Sequence, residues 1–79
     1  MDRTEIIEKL TVIFHEVFND NTIVLRDDMT AADVDTWDSM TNMVMITSVE
    51  EQFGIKFKLR DLSKLKVVGD LISTIESKL

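Results

Sequence analysis

Residues 37–55 read Trp37-Asp38-Ser39-Met40-Thr41-Asn42-Met43-Val44-Met45-Ile46-Thr47-Ser48-Val49-Glu50-Glu51-Gln52-Phe53-Gly54-Ile55, and this stretch decides the fold. Asp38-Ser39 suits a helix start, because a short side-chain oxygen accepts from the amides of the first turn. Gly54 suits its end, since glycine adopts the left-handed stop conformation without steric cost. The spacing predicts a helix from Asp38-Ser39 to Phe53. At about 100° per residue, Asn42, Met45, Ile46, Val49 and Phe53 share the expected core face. Met40, Met43, Val44, Thr47 and Glu51 form a second, partly apolar strip that begins beside Ser39. A helix needs only one face for its own core. The second strip is either covered by neighbouring segments or left open for partners, a use that suits adaptable methionine side chains.

On the N-terminal side, Ile6, Ile7, Leu10, Ile13, Phe14, Val17 and Phe18 recur at three- and four-residue spacing, which predicts a first helix. Asp2 with Glu5 gives it a capping start, and Asn19-Asp20-Asn21 supplies residues suited to a stop. His15 lies off the stripe and reads as a solvated side chain. Residues 19–38 lack helical periodicity, so a long loop joins the two helices; Ile23, Leu25, Val34 and Trp37 are expected to pin it. Asp27, Asp28, Asp33, Asp35 and Asp38 would keep its outer side acidic. An EF-hand does not fit, because Trp37 occupies the third ligand position after Asp33 and Asp35 and no loop glycine follows.

On the C-terminal side, Ile55-Lys56-Phe57 is too short to stand alone, and Leu59 to Leu65 predicts a short helical turn. Val68, Leu71, Ile72, Ile75 and Leu79 form the stripe of a last helix. The expected architecture is all-α: one four-helix bundle over residues 1–79, with a short third helix and a long first loop.

The composition excludes several functions. Without cysteine there is no disulfide, no thiolate metal site and no protein thiol for acyl chemistry. No apolar run approaches the ~18 residues of a membrane span or follows the N-terminus as a signal peptide would, so a cytoplasmic monomer without membrane insertion is expected. Residues 1–55 hold 12 Asp/Glu and 3 Lys/Arg, a balance of −9, whereas residues 56–79 hold 3 and 6, a balance of +3. The acidic part has the wrong sign for nucleic acid. No convergent acid, base and nucleophile set surrounds His15 or any carboxylate pair, so no catalytic residue and no metal site is assigned.

Asp38-Ser39-Met40 is similar to the Asp-Ser-Leu motif of acyl carrier proteins, with Met in place of the usual Leu. Val49-Glu50-Glu51-Gln52-Phe53-Gly54-Ile55 resembles the acidic stretch that closes that family's second helix, and Val68-Gly69-Asp70-Leu71-Ile72 the start of its last. The resemblance spans essentially the whole chain. It implies that Ser39 would receive 4′-phosphopantetheine from coenzyme A through a separate, magnesium-dependent phosphopantetheinyl transferase. Acyl groups would then ride as thioesters on the arm's thiol, and the carrier would catalyse nothing itself. Asp38, Met40, Met43, Val44, Glu50 and Glu51 would occupy docking positions for the transferase and for acyl-loading, condensing or acyltransferase enzymes.

The chain also departs from that pattern. Val44 stands where many fatty-acid carriers are acidic, Lys56, Lys58, Arg60, Lys64 and Lys66 make the third-helix region basic, and Val67 replaces a threonine cap, which would let that end fray. Trp37-Asp38-Ser39 lacks the glycine pair that often precedes the serine of peptidyl carriers. It looks more like stand-alone carriers of polyketide or related specialised pathways than a housekeeping fatty-acid carrier. An aminoacyl or peptidyl carrier, or an unmodified helical adaptor, are the competing readings.

Overall fold

The computed structural model describes residues 1–79, and its helices are α1 (Arg3–Val17), α2 (Ser39–Phe53), α3 (Leu59–Ser63) and α4 (Val68–Lys78). A 3-10 turn, Ala31–Asp33, interrupts the long α1–α2 loop, and there is no strand. The expected all-α bundle with a short third helix is therefore the observed one. Helix α1 packs against α2 and α4. Their inward residues belong to a single core of 17 buried side chains, all of them apolar, including Ile6, Leu10, Phe14, Val49, Val68 and Ile75.

Local chemistry sets each helix end. Asp2 accepts from the Glu5 amide at 2.9 Å and starts α1. Asn19, at φ 51°, follows the last turn of α1 and turns the chain away. Gly54 ends α2 at φ 65°, where a side chain would be strained, and the Ile55 amide returns to the Glu50 carbonyl at 3.1 Å. Helix α4 has no side-chain cap at Val67, but other bonds hold the chain at its start. The Asp70 carboxylate accepts from the Lys66 and Val67 amides, both at 3.1 Å. The reading from Val67 alone missed that a carboxylate three residues into a helix can reach back over its start.

The long loop is fastened from below and from both sides. Ile23 and Val34 are buried as expected, and Leu25 and Trp37 pack partly against the core. Met29, also buried, is a fifth anchor that periodicity could not reveal, because it stands alone between Asp28 and Thr30. Its carbonyl accepts from the Val68 amide, and that of Asp27 accepts from Gly69, both at 2.9 Å. Two further corrections concern this region. His15 is not simply solvated: its Nε2 lies 2.8 Å from the Ile23 carbonyl. A carbonyl only accepts, so that ring nitrogen carries the proton and ties α1 to the loop. Leu79, placed on the α4 stripe by spacing, lies past the helix end and is about half exposed.

The Gly69–Asp27 contact leaves no space for a side chain. A Cβ at residue 69 would sit 3.0 Å from the Asp27 carbonyl oxygen. Gly69→Ala is expected to separate the loop from α4 and cost roughly 1–3 kcal/mol of stability, the usual range for overpacking, measured as a lower urea midpoint with an unchanged slope.

Candidate functional site

Ser39 is the first residue of α2 and is exposed. The residues on either side of it do the structural work. Asp38 is the N-cap, and its Oδ1 accepts from the Met40 and Thr41 amides, each at 2.9 Å. The Thr41 hydroxyl closes the motif: it accepts from the Asp38 amide at 2.8 Å and donates to the Thr36 carbonyl at 2.7 Å. Ser39 takes no part in this set of bonds. The Thr41 amide, with help from the Thr41 hydroxyl and the Met40 amide, holds the Asp38 carboxyl below its ordinary 3.8.

This arrangement limits what the helix start can offer a phosphate ester at Ser39. The Met40 and Thr41 amides are occupied by Asp38, and the positive end of the helix dipole remains. A carboxylate kept ionised by backbone donors is also a weak base. The chain therefore presents an unengaged primary hydroxyl beside a carboxylate that is a poor general base.

The segment leading into Ser39 is anchored by aromatic packing. Trp37 meets Phe14 edge to face at 5.3 Å between centroids and lies 5.2 Å from Phe18. Its Nε1 donates to Asn42 Oδ1 at 3.0 Å, which explains why a polar residue stands on the inner side of α2. The Thr36 hydroxyl donates to the Phe18 carbonyl at 2.8 Å. Both anchors lie within three residues of Ser39.

Along α2 the second strip is open. Met40 is 79% exposed, Met43 50% and Val44 55%, and Thr47 and Glu51 are exposed as well. Asp38, Ser39, Met40, Met43, Val44 and Glu51 thus form one accessible run from the start of the helix towards its end. Glu50 differs. It is half-buried, and its Oε2 accepts from the Phe57 amide at 2.8 Å, binding α2 to the segment before α3. Beside this run a cavity of about 110 Å³ opens between α2, α3 and α4, lined mainly by apolar side chains including Trp37, Met43, Leu62, Leu65 and Val68. It was not visible in the sequence, because its walls come from separate segments. Nowhere in the chain do three or more His, Cys, Asp or Glu side chains gather to hold a metal ion.

Comparison with known proteins points to one family. The family model described as the phosphopantetheine attachment site matches residues 8–75. The acyl carrier protein of Thermotoga maritima is 31% identical over 77 residues, covering 98% of this chain and 95% of that protein. The acyl carrier protein of Thermosynechococcus vestitus is 30% identical over 79 residues, covering 99% and 96%. Among solved structures, the solution structure of a holo acyl carrier protein from Geobacter metallireducens superposes with a TM-score of 0.87 at 46% identity, over 91% of this chain and 83% of that one.

The cap makes a pH prediction. A carboxyl with a lowered folded-state pKa stabilises the fold fully above its unfolded value and loses that contribution as pH falls through the folded one. Asp38, together with Asp20 and Asp61, which shift the same way, should leave stability level near neutrality and make it decline below 3.8. Asp38→Ala should lower the urea midpoint at neutral pH, because the Met40 and Thr41 amides lose their acceptor. Asp38→Asn keeps a capping oxygen and should lose less while shallowing the acid limb. Urea melts between neutral pH and acid test all three expectations.

Proposed function

This chain belongs to the acyl carrier protein family, whose prosthetic group is phosphopantetheine, and from that premise we propose that Ser39 is the attachment point. The observation that carries the proposal is the exposed Ser39 hydroxyl at the head of α2, outside the cap that starts the helix. Residues 1–79 would act as one carrier domain. In loading, Ser39 Oγ attacks the phosphorus of coenzyme A that bears the pantetheine. An Oγ–P bond forms, the bond to the remaining nucleotide breaks, and the hydroxyl proton passes to a base. That base belongs to the transferase, because none is poised in this chain.

The arm supplies the thiol that this cysteine-free chain lacks, and an acyl group is held there as a thioester. The protein's own contribution is physical. A tether converts encounters with successive enzymes into local events at raised effective concentration. A rigid α2 start, fixed by Asp38, Thr41 and Trp37, gives every partner the same geometry. Met40, Met43 and Val44 offer an apolar landing strip, and Glu51 lies further along it. Glu50, committed to Phe57, serves the shape of that strip more than its charge. The cavity beside Met43 and Leu62 is an apolar seat for the part of the cargo nearest the arm. We place the protein in the cytoplasm, serving fatty-acid, polyketide or related specialised biosynthesis, with acyl-loading, condensing or acyltransferase enzymes as its clients.

The test is a mass measurement. Incubated with coenzyme A, magnesium and a broad-specificity phosphopantetheinyl transferase, the chain should gain one phosphopantetheine mass, and Ser39→Ala should gain none. An unmodified wild-type chain would favour the helical adaptor, and modification of the Ser39→Ala variant would move the site elsewhere.

A further inference from the structure

The segment from Lys56 to Lys66 concentrates positive charge in an otherwise acidic protein. Lys56, Lys58, Arg60, Lys64 and Lys66 are all exposed, and none forms an ion pair, whereas Arg3, Arg26 and Lys78 all do. Arg60 and Lys64 stand four residues apart, where like charges on a helix repel. The one carboxylate within the segment, Asp61, is turned to other work. Its Oδ2 pairs with Lys78 at 2.9 Å and accepts from the Lys58 amide at 2.8 Å. Leu59, among these cations, is 84% exposed, more than any other large apolar side chain of the chain.

This segment is also continuous with the strip on α2. Lys66 and Met43 line the same cavity, and Lys56 shares a surface depression with Thr47 and Glu51. A protein that covers Met40 and Met43 therefore reaches the cations of the α3 region as well. Uncompensated like charges around an exposed leucine are neutralised by a bounded acidic surface with an apolar seat. A flat anionic bilayer fits less well, because one exposed leucine gives little apolar area for insertion and residues 1–55, at −9, would be repelled.

We propose that the α3 region, residues 56–66, is a docking surface for an acidic protein partner, so that a client enzyme meeting α2 is negatively charged where it faces α3. The inference rests on the carrier reading only for the reason a partner approaches. Binding itself does not require a modified Ser39, so the two claims fail separately.

The test uses the unmodified full chain, isotope-labelled, titrated with a peptide of glutamates around a central leucine. Backbone amide shifts should move saturably at residues 56–66 and at Met43. Apparent affinity should fall roughly five-fold as salt rises from about 20 to about 150 mM, as exposed charge pairs require. Lys58→Glu combined with Lys64→Glu should abolish the response while amide spectra confirm an intact fold. A glutamine version of the peptide should not bind. Absence of saturable shifts, or equal shifts around Arg3, Lys9 and Arg26, would overturn the proposal. So would co-sedimentation with phosphatidylglycerol vesicles in place of peptide binding, which would make the surface a membrane site.

Discussion

The first turn of a helix has backbone N–H groups with no partner inside the helix, and some outside group has to satisfy them. In this protein that task falls to Asp38 at the head of α2, supported by the Thr41 hydroxyl. A serine beside a helix start is ordinarily read as the cap itself. Because its neighbour does the capping, the Ser39 hydroxyl is left free at the head of α2. At α1 the N-cap Asp2 takes the Glu5 amide in the same way, whereas at α4 Asp70 reaches back to the Lys66 and Val67 amides just ahead of the helix.

A precise helix start is of use only if the segment before it is fixed. Twenty-one residues separate α1 from Ser39, and they are held by a few side chains of mixed character. Trp37 supplies aromatic area against Phe14 and Phe18 together with an indole N–H for Asn42. Met29 fills the core beneath the acidic loop, and the Asp27 and Met29 carbonyls take the first amides of α4. Arg3 and Arg26 face Asp27, Asp28 and Asp33 across exposed ion pairs, which relieve some repulsion but hold little on their own. Buried apolar side chains and backbone bonds therefore carry the loop, and the charge on its outside is left for solvent.

Much of this was legible in the chain before the structure. The stripes of α1 and α4, the stop at Gly54 and the two apolar sides of α2 follow from helical spacing, since burial selects side chains at that period. What escaped the reading has a shared cause. Met29 has no periodic neighbours, His15 bonds to a carbonyl eight residues away, and Glu50 to an amide seven residues away. The cavity wall combines Trp37, Met43, Leu62 and Val68 from four segments. Such features depend on tertiary placement, which no local window records. At the site itself, Ser39 and its open apolar strip could be read from residue types, but the use of the Met40 and Thr41 amides by Asp38 could not. That detail is set by which of two adjacent oxygens wins the same donors.

The account stands on the separation of those two neighbouring side chains, and the folding free energy of the Ser39→Ala variant measures it directly. If Asp38 alone closes the helix, removing the serine hydroxyl should shift stability by no more than about 0.5 kcal/mol, as for an ordinary exposed position. A loss of about 1 kcal/mol or more would identify Ser39 as a structural cap, and would contradict the claim that the fold leaves this hydroxyl free.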